Sequence, residues 1–199
     1  MQILEITKEK KGKILVHTDG VDCFPLYEKE ADAWGIREGA ELSREKWEEL
    51  CSEILKKRVI RRAMFLLQQM DRTESQLRRK LAEGHYPEEL IDEAVAYVES
   101  WHYIDDFRYA CTYIRCHQAE KSRIQLKLAL VKRGVPSELI DRAFEEEYAD
   151  NEEELIAKLL EKKHYDPEQM DQKEKYKICQ FLLRKGFSIL KIKRQMDLT

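Results

Sequence analysis

The sequence lacks the features that mark membrane, secreted and nucleotide-binding proteins. It contains no apolar run long enough to cross a bilayer, and Met1 is not followed by the basic and then apolar segments of a secretory leader. Its seven glycines are dispersed, so that no glycine-rich loop is available to hold a phosphate group. These absences lead us to expect a cytoplasmic protein that does not contact a membrane and requires no cofactor.

The sequence also lacks an excess of positive charge. Its 36 lysines and arginines are outnumbered by 39 aspartates and glutamates, which gives a formal net charge of −3. A domain that binds DNA by itself is expected to be clearly basic. Of all residues, 38% are charged and 43% are hydrophobic, which is typical of a helix-rich protein with solvated outer faces. Composition therefore argues against a stand-alone DNA-binding domain.

The cysteines are odd in number and widely scattered, which argues against a disulfide framework. We expect buried thiols at Cys23, Cys51, Cys111, Cys116 and Cys179. Cys111 and Cys116 stand near His117, but residues at this spacing on a helix point to different sides, and the sequence contains no Cys-x-x-Cys motif. The pattern therefore predicts no metal site.

No set of residues predicts an active site. Asp105 and Asp106 could suggest paired acid–base carboxylates, but acidic residues directly before an amphipathic helix typically cap it. His85, His102 and His164 each precede a tyrosine at a predicted helix junction, a setting that favours a structural histidine over a ligand or a base. We therefore predict that the protein is not an enzyme.

The chain repeats itself. When the sequence is shifted by 49 residues, without a gap, Gln76 falls on Gln125 and Pro87 falls on Pro136. The other residues that match in the same register are Leu77, Leu81, Glu89, Leu90, Ile91, Asp92 and Ala94, which fall on Leu126, Leu130, Glu138, Leu139, Ile140, Asp141 and Ala143. A fixed period in this range indicates units that pack in series, which favours a binding surface over a closed catalytic pocket.

Each copy contains three predicted helices. The middle helix begins with a capping box, at Thr73 with Gln76 and at Ser122 with Gln125. Its predicted core leucines are Leu77, Leu81, Leu126 and Leu130. Apolar residues at helical spacing predict a preceding helix around Ile60–Leu67 in the first copy, and one that starts near Asp105 or Asp106 in the second copy.

Glycine and proline mark the boundaries between these helices. Gly84 and Gly134 are predicted to close the middle helices in the left-handed conformation, although Gly84 lies one position early and leaves His85 at the matching site. Pro87 and Pro136 are predicted to open the last helix of each copy, in the first turn, where no N–H is needed.

The C-terminal part of the chain fits a looser third copy. Asn151 and Glu154 are predicted to cap a helix, a longer helix ends at Gly186, and a short helix follows from Ile189. At the other end, short β-compatible runs over 3–6, 13–17 and 21–24 are separated by turn residues, and a helical pattern begins after Pro25. We expect this β-rich part to pack on the first repeat, because a few strands alone are marginally stable.

The sequence thus predicts a mainly α fold, a tandem array of three three-helix, helix-turn-helix-like repeats with a small N-terminal β-rich extension. The predicted boundaries are 1–42 for the extension and 43–104, 105–149 and 150–199 for the repeats.

Three motifs carry a resemblance to a known family. They are Tyr103-Ile104-Asp105-Asp106-Phe107-Arg108-Tyr109-Ala110, Leu130-Val131-Lys132-Arg133-Gly134-Val135 and Phe181-Leu182-Leu183-Arg184-Lys185-Gly186-Phe187-Ser188. Their order and spacing resemble the RecX family of bacterial regulators of the RecA recombinase, from about Ile60 to the C-terminus. The resemblance implies binding along the groove of the RecA–single-stranded-DNA filament, weak direct DNA contact at most, and modulation of ATP hydrolysis and strand exchange, with inhibition as the expected direction.

Basic residues recur near one point in each repeat and predict a surface for a partner or DNA. This basic stripe comprises Arg78, Arg79, Arg123, Lys127, Lys132, Arg133, Arg184 and Lys185. The alternative interpretation is that they are solvated residues near helix C-termini, where the helix dipole favours positive charge. The sequence leaves both interpretations open.

A second function also stays open, namely sequence-specific reading of duplex DNA by helix-turn-helix modules. The candidate recognition helices, Pro87–Val98 and Pro136–Tyr148, have acidic outer faces that phosphates would repel. A general helical scaffold for another protein is the third alternative.

Overall fold

The computed structural model describes residues 1–197 and begins with a three-stranded antiparallel sheet. Its strands are β1 (Ile3–Lys8), β2 (Lys13–Thr18) and β3 (Cys23–Tyr27), in the order β1-β2-β3. The predicted strands are confirmed, and the helical segment predicted after Pro25 begins at Glu28, once β3 has ended. Pro25 lies inside β3, an edge strand, where its missing N–H costs no bond to a further strand.

The chain divides into two compact units, 1–105 and 106–199. The helices of the first unit are α1 (Glu28–Trp34), α2 (Arg44–Leu50), α3 (Lys56–Gln69), α4 (Glu74–Ala82) and α5 (Glu88–Ser100). A π-helical turn, Cys51–Leu55, joins α2 to α3. The helices of the second unit are α6 (Asp106–His117), α7 (Arg123–Lys132), α8 (Ser137–Glu147), α9 (Glu152–Lys162), α10 (Gln172–Arg184) and α11 (Ile189–Gln195).

The sheet and the helices of the first unit share one hydrophobic core, which confirms that the β-rich part packs on the first repeat. Phe24 of β3 lies with its ring centroid 4.9 Å from that of Trp47 in α2. Arg58 of α3 fixes the same junction, because its guanidinium donates to the Pro25 carbonyl at 2.9 Å and pairs with Glu30 of α1.

The second unit contains two core clusters. One gathers apolar side chains of α6, α7 and α8, including Ile114, Leu130 and Ile140. The other gathers apolar side chains of α9, α10 and α11, including Ile156 and Leu182. The four predicted core leucines of α4 and α7 are all fully buried, and the mainly α array of three-helix repeats is confirmed.

Both predicted capping boxes are confirmed. Thr73 Oγ1 accepts from Gln76 N at 3.1 Å, and Ser122 Oγ accepts from Gln125 N at 3.2 Å. The third repeat begins its middle helix in the same way, with Asp171 accepting from Glu174 N at 2.7 Å. This box was not predicted, although Asp followed by Glu three residues later is a capping signal.

The predicted cap at Asn151 is wrong. Its φ of −103° and ψ of 18° are not the extended conformation of a capping residue, and its side chain makes no cap hydrogen bond to α9. Asn151 Oδ1 is buried without a hydrogen-bond partner among residues 1–197.

The left-handed position after α4 is also not where it was predicted. Gly134 has a φ of 81°, as expected, but after α4 the left-handed residue is His85, with a φ of 60°, rather than Gly84. The reason is that both helices close at the equivalent position, since His85 N bonds the Ala82 carbonyl at 2.9 Å and Gly134 N, 49 residues later, bonds the Val131 carbonyl at 2.9 Å. Gly84 is needed for a different reason, because a Cβ there would lie 2.8 Å from the Tyr86 ring.

The expectation that all five cysteines are buried is wrong as well. Cys111 is buried, Cys116 is exposed, and Cys23, Cys51 and Cys179 are half-buried free thiols. Cys116 lies on α6 five residues after Cys111, so that it points away from the core side of that helix.

Candidate partner-binding surface

The first and second repeats carry the same ion pair between their middle and last helices. Lys127 of α7 places its Nζ 2.6 Å from Asp141 Oδ1 of α8. At the equivalent positions 49 residues earlier, the Arg78 guanidinium of α4 pairs with Asp92 of α5, and its Nε also bonds Glu74 at 2.7 Å. These two members of the basic stripe are therefore engaged within their own repeats.

Other members of the stripe are exposed. The side chains of Arg79 on α4 and Lys132 on α7 make no hydrogen bond or ion pair with any residue in the described part of the chain. Arg184 on α10 is exposed and only approaches its own helix, with Nε 3.4 Å from the Gln180 carbonyl. Their charges are available to a partner.

The remaining members lie against aromatic rings. The Arg133 guanidinium lies 4.5 Å from the Tyr113 ring centroid, and Lys185 Nζ lies 5.3 Å from that of Phe181. Arg123 lies over two rings, with its guanidinium carbon 5.0 Å from the Phe144 centroid. Such contacts hold a cation in place without neutralising it.

The second and third repeats are joined by hydrogen bonds within the second unit. Ser122 Oγ, which caps α7, donates to the Lys185 carbonyl at the end of α10 at 2.6 Å. The buried Glu152 carboxylate accepts from the Arg123 backbone N–H at 3.0 Å and from Lys191 Nζ at 3.0 Å. The basic residues of α7 and α10 are thus held at one packed junction.

Charge at this junction shifts several pKa values. The hydrogen bond from Lys191 is the main reason that the pKa of Asp150 lies below its usual value. Burial opposes the charge on Lys191, but the hydrogen bonds that its amine donates to Asp150 and Glu152 outweigh burial and raise the pKa of that amine. Burial first, and then the nearby Glu152 and Asp150, raise the pKa of Tyr148 to about 12.

The outer faces of α5 and α8 are acidic in the structure as in the sequence. The exposed acidic residues are Glu88, Glu89, Asp92 and Glu93 on α5 and Glu138, Asp141 and Glu145 on α8. Only some of these charges are paired with lysine or arginine, as Glu93 is with Lys56 at 2.7 Å. A helix with this outer face is repelled by the phosphates that border a DNA groove.

Two family models match parts of this chain, and known relatives match most of its length. A model described as RecX, first three-helix domain, matches residues 60–97, and one described as RecX, third three-helix domain, matches residues 150–194. The regulatory protein RecX of Caldanaerobacter subterraneus subsp. tengcongensis is 32% identical over 196 residues, 98% of this chain and 97% of that protein. The chain belongs to the RecX family.

Solved RecX structures share the fold. One, described as the crystal structure of regulatory protein RecX, superposes with a TM-score of 0.64 at 25% identity and covers 98% of both chains. RecX from Lactobacillus salivarius superposes with a TM-score of 0.62 at 25% identity, over 72% of this chain and 96% of that chain. The regulatory protein RecX of Yersinia enterocolitica is 32% identical over 152 residues, 65% of this chain and 90% of that protein.

The residues considered for catalysis hold helix ends in this RecX chain. His85, His102 and His164 all have positive φ values, between 51° and 60°, at the ends of helices. Asp106 is the first residue of α6. These positions agree with the structural roles that the sequence favoured.

Two of the half-buried thiols, Cys51 and Cys23, are poor nucleophiles. Cys51 lines a cleft of about 530 Å³ with Trp47 and Leu90, and burial, followed by Glu93 and Glu89, raises its pKa to about 11. Burial and Asp22 raise the pKa of Cys23. Both thiols are therefore protonated near neutral pH.

One group of possible metal ligands was not predicted from the sequence. Cys111, Glu146 and Glu147 each place a ligand atom within 4.8 Å of the others, whereas Cys116 and His117 do not belong to the group. Arg115 already holds both carboxylate oxygens of Glu147 and keeps the pKa of that group low. The packing of α6 on α8 creates the group, and nothing in the local sequence signals it.

Among the helices of residues 1–197, none combines the length and the apolar character needed to span a bilayer.

Proposed function

We propose that this RecX chain binds the RecA–single-stranded-DNA filament along its groove and inhibits its ATPase and recombinase activities. It acts there as a regulator and not as an enzyme, and this agrees with the name regulatory protein that its relatives carry. The RecA partner comes from the RecX resemblance, which also implies a role in DNA recombination, repair and the SOS response.

The repeated architecture supports this proposal. Two copies of one three-helix unit carry the same caps, core leucines and ion pair, and a third copy follows. Successive repeats can contact successive protomers of a helical polymer, and several weak contacts gain affinity from effective concentration.

The charge on the outer faces of the repeats favours filament binding over sequence-specific binding to duplex DNA. The last helices of the first two repeats, α5 and α8, expose carboxylates. The middle helices α4 and α7 expose Arg79 and Lys132, whose side chains form no ion pair with a carboxylate of the described residues. A filament groove offers both protein and phosphate to such a mixed surface, whereas a bare major groove offers mainly negative charge.

The basic stripe is part of the proposal as the contact surface for the filament. Arg79, Lys132 and Arg184 are available without breaking an ion pair, and Arg123, Arg133 and Lys185 are held on aromatic rings. Arg78 and Lys127 can contact the filament only after their ion pairs with Asp92 and Asp141 break. We therefore assign them the smaller share of the affinity.

The test is single-stranded-DNA-dependent ATP hydrolysis by the cognate RecA, with and without substoichiometric amounts of this protein. The proposal expects hydrolysis to fall, because one bound regulator affects several protomers. An unchanged rate at every ratio contradicts it. Selection from random DNA duplexes tests the alternative function, and enrichment of a defined motif would establish sequence-specific binding instead.

A further inference from the structure

Helix α7 is apolar on the side that faces solvent as well as on the side that faces the core. Leu126 and Leu130 are fully buried. On the opposite side Ile124, Leu128 and Val131 are 54%, 62% and 49% exposed. Their spacing of four and three residues places them on one face of the helix. We call these three side chains the outer α7 face.

The equivalent face is not apolar in the other two repeats. Helices α4 and α7 begin with equivalent capping boxes, so that Ser75, Arg79 and Ala82 of α4 stand where the outer α7 face stands. All three residues of α4 are exposed. Aligned by its capping box, α10 has Lys173, Lys177 and Gln180 at the same positions. Two of the three repeats thus have a small or polar outer face on an equivalent core, which indicates that the aliphatic face of α7 serves an interaction.

The charges around the face indicate what it binds. Between Arg123 and Lys132, α7 contains no acidic residue. Lys132 at its end is exposed and has no ion pair with any residue of 1–197. Arg123 at its start rests on the Phe144 and Tyr148 rings. An aliphatic centre with basic residues at both ends is complementary to a surface with apolar side chains bordered by carboxylates.

We propose that the outer α7 face is a docking site for a protein surface that presents apolar side chains bordered by carboxylates. Resting on the proposed function, this surface belongs to a protomer of the RecA filament. Protein is favoured over nucleic acid because single-stranded bases bind by stacking on aromatic rings, and the outer α7 face is entirely aliphatic.

The test replaces the face with the one that the first repeat already uses. The variant Leu128→Arg with Val131→Ala copies Arg79 and Ala82 of α4 onto α7. Its affinity for the RecA–single-stranded-DNA filament is compared with that of the unmodified chain by co-sedimentation or fluorescence anisotropy. We expect binding about tenfold weaker or more, the loss typical when central apolar contacts are removed from an interface.

The matched control is Leu4→Arg, because Leu4 is 58% exposed and lies on β1. It adds the same charge to a similarly exposed leucine, and its filament affinity should equal that of the unmodified chain. Circular dichroism and the unfolding midpoint of the α7 variant should also be unchanged. An unfolded variant, or one much less stable, overturns the inference, because it would show that the fold needs these side chains.

The outcomes separate this inference from the proposed function. If the unmodified chain binds filaments and the α7 variant binds equally well, the docking site is wrong and the proposed function stands. If the unmodified chain does not bind filaments, the proposed function fails and this docking site fails with it. If the unmodified chain is a dimer in sedimentation and the α7 variant a monomer, the face binds a second copy of the chain, which overturns the assigned occupant.

Discussion

The amine of Lys127 and the carboxylate of Asp141 form an ion pair at 2.6 Å that repeats, 49 residues apart, the pair of Arg78 with Asp92. The arginine and the lysine differ in shape and in hydrogen-bonding geometry, yet both connect the middle helix of a repeat to its last helix. The basic residue differs between the two copies, whereas the acidic residue is aspartate in both. The shared role of the pair is therefore to attach the middle helix of a repeat to its last helix.

The members of the basic stripe that form no ion pair allow a sharp test of the stripe. Charge reversal of the exposed Arg79, Lys132 and Arg184 to Glu should weaken binding to the RecA filament, and the remaining affinity should fall less steeply with added salt, because fewer charge contacts remain. Stability should change little, since exposed charges contribute little to it. Lys10→Glu, at an exposed site in the N-terminal turn, is the control. Equal affinity of the triple variant and the control would indicate that the stripe consists of solvated helix ends.

Leu130→Ala should lower the free energy of unfolding by about 2–5 kcal/mol, because it leaves a cavity in a fully buried site of the second repeat. Leu128→Ala, two residues earlier on the exposed side of the same helix, should cost less than about 0.5 kcal/mol. Urea denaturation measures both. Similar losses in the two variants would contradict the orientation of α7.

His164→Gly should stabilise the protein by up to about 1 kcal/mol. His164 has a φ of 51° at the end of α9, a conformation that costs a side chain with a Cβ about 1 kcal/mol and costs glycine little. Lys158→Gly, at an exposed site inside the same helix, should destabilise by about 1 kcal/mol. Both midpoints come from thermal or urea unfolding, and a loss of stability in His164→Gly would show that the imidazole makes a necessary contact.

The stability of the second unit should depend on pH through Asp150 and Lys191. The pKa of Asp150 is lower in the folded protein than in the unfolded chain, so its contribution is present above about pH 4 and is lost as the pH falls through the folded pKa. The pKa of Lys191 is raised on folding, so its contribution is present below about pH 10 and is lost as the pH rises through the folded pKa. Urea unfolding across this pH range measures the free energy of unfolding. In the Lys191→Met variant, both the loss of stability through Asp150 at low pH and the loss through Lys191 at high pH should disappear. An unaltered pH profile would mean that the pair is not formed in solution.

Local sequence signals predicted much of the fold. Thr73 with Gln76, and Ser122 with Gln125, are capping boxes in the structure because the bond depends only on residues three apart. The burial of Leu77 and Leu126 also followed from their spacing, since helical periodicity determines which face is apolar.

The errors and omissions concern contacts between segments or small shifts of an element's end. His85 takes the left-handed position because it is the residue equivalent to Gly134, whereas the glycine at 84 suggested a position one residue earlier. Asp92 and Asp141 appeared in the sequence only as parts of acidic faces, because their partners lie 14 residues away on another helix. The outer α7 face was not predicted because helical periodicity places Leu128 on the side opposite Leu130 but does not show whether another segment covers that side, and only the structure shows that Leu128 is exposed.

The hydroxyl of Ser122 accepts from Gln125 N and donates to the Lys185 carbonyl, so one oxygen atom belongs both to the start of α7 and to the end of α10. The third repeat therefore cannot detach from the second without breaking a bond at the N-terminus of α7. Amide protons in the first turn of α7 and the last turn of α10 should then exchange with solvent through one cooperative opening rather than two independent ones. Replacing Ser122 by Ala would uncouple the two exchange rates and leave α10 free to open by itself.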